Sequence, residues 1–236
     1  VIECNLRASR SAPYTSKATG IPLIWIGAKV MMGKTLRELN VLKRPKSVHV
    51  AVKAPTFSFM RLKGSDPVLG VEMTSTGEVA CLDYSFAGAY IKALMASNLT
   101  IPSPEKPVLV TVPEQVHSEA VSLACKLTKM GYPILATRGT AEGLLKGGVP
   151  SITVVRKVHE EGDGADILEY LRERKIGLVI NIPNPVGRAS VDDEYVIRRT
   201  AVEFFVPVIT RLETAKALVD SLEQNGYGST PRTFLL

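Results

Sequence analysis

Short apolar runs and helical periods alternate along the second half of this chain. Val108–Val112 precedes an amphipathic period over Gln115–Met130, and Ile134–Ala136 precedes Thr140–Lys146. The same order recurs in Ile152–Val155 with Asp166–Arg174, Leu178–Ile180 with Asp192–Phe204, and Val208-Ile209 with Glu213–Leu222. Unbroken apolar runs too short for helices are the mark of strands covered on both faces. Five such repeats predict an α/β fold, a parallel sheet flanked by helices and joined by right-handed crossovers.

The first hundred residues lack that rhythm. Val1–Asn5 alternates apolar and polar residues as a half-exposed strand does, which sets Glu3, Asn5 and Arg7 on one face. Tyr14–Gly20 reads as a polar turn, and Ile21–Met32 as an apolar helix opened by Pro22 and closed by Gly33, with Trp25 and Met31-Met32 as core. Leu36–Pro45 is a short amphipathic connection, Val48–Ala54 a strand, and Phe57–Asp66 irregular. Val71–Cys81 reads as a hairpin-like pair of strands around Ser75-Thr76-Gly77, followed by a helix over Phe86–Ala96 capped by Ser85. Asn98–Lys106 carries Pro102 and Pro104 and places a domain boundary, giving units 1–98 and 107–236 joined by 99–106. Asn225–Leu236, without period, is a tail.

In parallel sheets ligands gather beyond the carboxyl ends of the strands. Here those ends supply Thr111 and Pro113, then Thr137–Thr140, Arg156-Lys157, Asn181 and Asn184, and Thr210-Arg211. Ala136-Thr137-Arg138-Gly139-Thr140 reads as strand, tight turn and helix start. Such a turn either caps a helix or aims free N–H groups and two hydroxyls at an anion; the convergence of five strand ends favours the anion. Arg198 and Arg199 point about 100° apart on a helix, so at most one of them reaches a pocket there. His117 and His159 read as surface histidines.

Charge and composition narrow the ligands. Lys and Arg number 29 against 23 Asp and Glu, a net +6, but they are scattered and only 6% of residues are aromatic. Small anionic ligands suit that balance better than a nucleic-acid groove, which wants a basic stripe with aromatics. No window approaches the roughly 18 unbroken apolar residues of a membrane span. Cys4, Cys81 and Cys125 are odd in number and widely spaced, which argues against a disulfide framework or metal clip and for a reducing compartment. The sequence opens on Val1 in the middle of a strand pattern, as a piece of a longer protein would.

Glu3-Cys4-Asn5-Leu6-Arg7-Ala8-Ser9-Arg10-Ser11, Val52-Lys53-Ala54-Pro55 and Glu72–Val79 resemble the end of the second ATP-grasp unit of the carbamoyl-phosphate synthase large chain. From about Pro107 onward, Ala136–Thr140 and Tyr195-Val196-Ile197-Arg198-Arg199-Thr200 are similar to that family's methylglyoxal-synthase-like regulatory domain. The resemblance implies a Rossmann-like parallel-sheet domain preceded by an α+β ATP-grasp remnant. It implies Mg²⁺ or Mn²⁺ held by Glu3 and Asn5, ATP as cofactor, and Arg7 and Arg10 as catalytic residues near the phosphates. A surface ion-pair cluster is the other reading of Glu3 and Asn5. It further implies an effector pocket lined by Thr137, Thr140, Lys157, Asn181, Asn184 and Arg198, to which the convergence of strand ends adds Thr111. Lys157 suits a nucleotide or sugar phosphate, while acetylglutamate and ornithine are the effectors of other relatives.

The activity implied is an ATP-dependent ligase making carbamoyl phosphate from bicarbonate and ammonia or glutamine, for pyrimidine, arginine or urea synthesis. Its implied partners are the rest of the synthase chain, a glutaminase domain or subunit, and further copies in an oligomer. Nucleic acid and membrane are not among them; the implied compartment is the cytoplasm or the mitochondrial matrix. By itself the chain is expected to bind a phosphorylated metabolite and turn over nothing. Two alternatives are a stand-alone binding module and a methylglyoxal-synthase-like lyase. The lyase needs a carboxylate base, and the Gly-Gly-Asp segment where that family keeps its Asp is absent after the third strand of this unit.

Overall fold

Val108 and Val110 pack with one set of helices and Leu109 with another, so the strand between them is buried on both sides. The structure, a computed structural model, describes residues 9, 11–41, 48–70, 73–157, 160, 166–184 and 191–228, with the backbone alone at 191 and 192. Its organising element is a five-stranded parallel sheet of β3 (Val108–Thr111), β4 (Ile134–Thr137), β5 (Thr153–Val155), β6 (Leu178–Asn181) and β7 (Val208–Ile209), in the order β5-β4-β3-β6-β7. All five expected strands are present, each followed by its helix: α4 (His117–Lys129), α5 (Arg138–Lys146), α6 (Ile167–Arg172), α7 (Val191–Glu203) and α8 (Leu212–Asn225).

The chain winds outward from β3 to β4 and β5, then returns to the other side of β3 for β6 and β7. The direction of winding therefore reverses between β3 and β6, where open sheets of this kind leave a crevice at the carboxyl ends. Leu123, Leu127, Leu144, Leu218 and Leu222 bury one face of the sheet from α4, α5 and α8. Ile167, Leu171, Ile197 and Ala201 bury the other from α6 and α7. Removing that much apolar surface from water is the main stabilising term.

The first hundred residues form a smaller assembly. β1 (Val50–Thr56) pairs antiparallel with β2 (Gly77–Asp83), from Val50 opposite Asp83 to Thr56 opposite Gly77. Among the described residues no hairpin forms around Ser75-Thr76-Gly77: Gly77 begins a strand whose partner, β1, ends at Thr56, before the β1–β2 loop that starts at residue 57. α3 (Phe86–Ala96) starts on Ser85, whose hydroxyl accepts from the Gly88 N–H at 3.0 Å as expected of an N-cap. It also joins the two parts, since Ile91 and Leu94 enter the core beneath the parallel sheet and Tyr90 donates to the Thr214 carbonyl at 3.2 Å. Residues 99–106 lie against the second unit: Tyr132 donates to the Pro102 carbonyl at 2.9 Å and Lys106 to that of Arg174 at 3.0 Å.

Two elements of the first unit differ from what the sequence predicts. Ser11–Thr19 is a helix, α1, rather than a polar turn. Its hydroxyls fold back on the chain, Thr15 to Ser11, Ser16 to Ala12 and Thr19 to Thr15, which lets polar residues continue a helix with no buried side chain. In α2 (Leu23–Met31) only Ile26 is buried; Trp25, Met31 and the following Met32 are exposed rather than core. Among the described residues no helix is long and apolar enough to cross a membrane. Val1–Asn5 and the end of the tail lie outside the described residues.

Candidate functional site

β4 runs straight into α5 without the intervening turn, so Thr137 is both the last strand residue and the N-cap of the helix. Its backbone is extended, yet its side chain caps no N–H of the first turn. A helix start normally satisfies its free N–H groups with a capping oxygen, and a site that leaves them open attracts an anion, which the helix dipole also favours. Gly139, the second helical residue, has nothing within 4 Å of where a Cβ would stand, so the backbone here is open to an approaching group.

Thr137, Gly139 and Thr140 line a cavity of about 660 Å³ at the carboxyl ends of β3 and β4. Its size falls within the range of small-molecule sites. Thr111, Val112 and Pro113 close one side of it and Asn184 another; Lys146 and Lys157 bring positive charge. Thr140 serves the wall more than the opening. Its hydroxyl accepts from the Val112 N–H and donates to the Val112 carbonyl, both at 3.2 Å, strapping α5 to the end of β3. The Thr137 hydroxyl lies 3.5 Å from that of Thr140.

Carboxylates also face the cavity: Glu114, Glu142, Asp193 and Glu194. A lining that combines cations and open N–H groups with carboxylate acceptors suits a ligand carrying an anionic end and hydroxyl or amino donors elsewhere. His117 is part of this lining rather than an ordinary surface histidine, and its ring lies against Gly143 of α5. The cue for it is spatial: His117 opens α4 after the short turn Glu114–Val116 that follows the β3 end, where strand-end residues converge.

Of the residues that the sequence brings to this pocket, Thr111, Thr137, Thr140, Lys157 and Asn184 line it. Asn181 and Arg198 do not; they stand behind the lining, bonded to it in series. Asn181 Nδ2 donates to Thr111 Oγ1 at 2.6 Å and Asn181 Oδ1 accepts from Arg198 Nη1 at 2.7 Å. Arg198 is 2% exposed, and its remaining nitrogens reach Asp66 in the β1–β2 loop, Nε to Oδ1 at 2.8 Å and Nη2 to Oδ2 at 2.5 Å. A buried guanidinium requires such a bidentate partner, since the desolvated charge is otherwise uncompensated.

Arg199 turns to the same loop. Its Nη1 donates to the carbonyls of Phe59 and Leu62 at 3.0 Å and of Ser65 at 3.4 Å. Tyr195 donates to the Gly64 carbonyl at 2.9 Å, and Arg211, past the end of β7, to that of Leu69 at 2.8 Å. Neither adjacent arginine lines the cavity. Together they clamp the loop of the first unit onto α7. Glu3, Asn5, Arg7, Arg10 and His159 lie outside the described residues.

Comparison with known proteins places these features in a family context. The family described as MGS-like domain matches residues 119–210, which run from α4 to β7. The family described as Carbamoyl-phosphate synthase L chain, ATP binding domain matches residues 1–39. The carbamoyl phosphate synthase large chain of Methanothermobacter thermautotrophicus is 39% identical over 94% of this chain, which spans 20% of that relative. The C-terminal section of the large chain of Methanopyrus kandleri is 43% identical over 94% of this chain, which spans 41% of it. The large chain of Rubrobacter xylanophilus is 42% identical over 100% of this chain and 22% of its own length. The chain thus spans well under half the length of these relatives. It carries an MGS-like domain on a Rossmann-like parallel sheet, and over nearly its whole length it is homologous to the C-terminal portion of the carbamoyl phosphate synthase large chain.

Proposed function

We propose that this chain is the C-terminal part of an ATP-dependent ligase that forms carbamoyl phosphate from bicarbonate and ammonia or glutamine, and that the cavity at the β3 and β4 ends is its effector site. The observation that supports the pocket is the uncapped start of α5 on Thr137, opening into a cavity flanked by Lys146 and Lys157. Thr111, Thr137, Thr140, Lys157 and Asn184 contact the effector, with Asn181 and Arg198 holding that wall. Four carboxylates in the lining disfavour a ligand that is anionic along its whole length. They favour a nucleotide or sugar phosphate, whose hydroxyls donate to them, over acetylglutamate.

Glu3 and Asn5, with carboxylate and amide oxygens, are a donor set suited to Mg²⁺ or Mn²⁺ shared with ATP phosphates, and Arg7 and Arg10 hold phosphate oxygens. The metal would draw charge from the transferring phosphoryl group. The remainder of the synthase chain is the partner that covers the apolar surface of α2, where Ile24, Trp25 and Met31 are exposed beside Met32. Cys81 and Cys125 are free thiols, in keeping with the cytoplasm or the mitochondrial matrix.

Thermal-shift measurements with UMP, UTP, IMP, phosphoribosyl pyrophosphate, acetylglutamate and ornithine test the effector reading, because a ligand bound only by the folded state raises the melting temperature. A shift with a phosphorylated ligand, lost in Thr137→Ala, is the expected result. No shift with any of the six would remove the effector reading.

A further inference from the structure

The polar groups behind the cavity form a chain whose direction is set by Arg198, which Asp66 holds in place. Asp66 carboxylate oxygens accept from Arg198, and a guanidinium can only donate. The group of Asn181 that meets Arg198 Nη1 at 2.7 Å must therefore be its oxygen, which turns the amide nitrogen toward Thr111 at 2.6 Å. Thr111 Oγ1 accepts that bond, so its own proton points elsewhere. Among the described residues no acceptor takes it, and Thr111 lines the cavity. A threonine hydroxyl left to itself rotates to donate or accept; with one lone pair taken by Asn181, this one keeps its proton available to an acceptor in the cavity.

We infer that Asp66, Arg198 and Asn181 are positioning residues that hold Thr111 as a hydrogen-bond donor toward the anionic end of the cavity's ligand, so that docking of the loop around Asp66 onto α7 sets the pocket's affinity for anions. This inference rests on the cavity binding an anion. It adds the residues of the first unit that tune it. Asp66 belongs to the β1–β2 loop, and the clamp of Tyr195 and Arg199 on Gly64, Phe59, Leu62 and Ser65 keeps that loop in place. A loop that leaves α7 takes the Asp66 carboxylate from Arg198. Arg198 Nη1 then has Glu194, 3.7 Å away in the cavity wall, as its remaining carboxylate, and a guanidinium drawn toward Glu194 no longer holds Asn181 in place against Thr111. Coupling of this kind is reciprocal: a ligand that draws on the Thr111 proton also favours the docked loop.

The test is calorimetric titration of the 236-residue chain with inorganic phosphate, with melting temperature recorded for every variant. Asn181→Asp keeps an oxygen for Arg198 but presents a second oxygen to Thr111, which takes its proton away from the cavity. Phosphate affinity is expected to fall about tenfold, the size of one hydrogen bond to a charged group. In a Thr111→Val background the same change is expected to cost less than about threefold, because there is no proton left to redirect; a pure charge effect of the new carboxylate would persist undiminished. Asp66→Ala, remote from the lining, is expected to weaken phosphate binding several-fold, and Asp66→Glu to restore part of it. Wild-type affinity in Asp66→Ala and equal losses from Asn181→Asp in both backgrounds would overturn the inference while leaving the pocket intact. Absence of phosphate binding by the unmodified chain would instead remove the anion site itself.

Discussion

The imidazole of His117 lies so close to Gly143 that a Cβ built on that glycine would stand 2.0 Å from Nδ1 and 2.8 Å from Cγ. Both residues line the cavity, and the contact fixes how α4 and α5 approach each other at its edge. Replacing a helical glycine by alanine ordinarily stabilises by roughly 1 kcal/mol. Here the whole ring has to swing, so Gly143→Ala is expected to destabilise instead, by about 1–3 kcal/mol. Urea denaturation reads the sign. A stabilised variant would show that His117 moves freely.

Thr137 and Thr140 are both hydroxyls at the start of α5, but their substitutions separate. Thr137 caps no N–H, so Thr137→Ala is expected to leave stability nearly unchanged while weakening a phosphorylated ligand by about 1 kcal/mol or more. Thr140 satisfies both backbone groups of Val112, which is buried, so Thr140→Val leaves an orphaned N–H and is expected to cost about 1–3 kcal/mol of stability, with Thr140→Ser recovering most of it. Calorimetry and denaturation on the same two variants check the contrast. Equal stability losses would show that Thr137 is an ordinary cap.

Arg199 spans three carbonyls of the β1–β2 loop and pairs with Glu203 at 2.8 Å. Arg199→Lys keeps the charge and loses the planar fork that reaches several acceptors at once. It is expected to cost about 1–3 kcal/mol and to speed limited proteolysis within residues 57–66. An unchanged cleavage rate would mean that Tyr195, Arg198 and Arg211 hold the loop without it.

Tyr132 supplies a pH dependence. Burial, with a smaller effect of Tyr227, pushes its hydroxyl up to about 12 from the ordinary 10.0, so the folded state favours the neutral phenol. Its contribution to stability is complete below about pH 10 and is lost as pH rises from 10 toward 12. Tyr132→Phe is expected to flatten the stability profile in that window. At neutral pH it costs about 1 kcal/mol through the lost bond to the Pro102 carbonyl. Parallel profiles of the two proteins would exclude Tyr132 as the source.

What the sequence determined by itself is local. Periods of two and 3.6 are properties of consecutive residues, so the five strand-helix repeats, the Ser85 cap and the strand ends carrying Thr111, Thr137, Lys157 and Asn184 are legible without a structure. Local signals also misled where hydroxyls bonded back along α1 and where the apolar residues of α2 stayed outside. Tertiary structure decided which residues meet. Asp66 and Arg198 are 132 positions apart, and nothing in the composition of either segment marks the pairing. The buried guanidinium sits 3.7 Å from Glu194 and forms its bidentate bond with the distant Asp66. Two adjacent arginines on one helix must diverge, but only the packing of α7 against the sheet and the loop set one toward Asn181 and the other toward three backbone carbonyls. The physical reason is that backbone periodicity is a short-range property, whereas the partner of a buried charge is chosen by whatever the folded chain brings within hydrogen-bond reach.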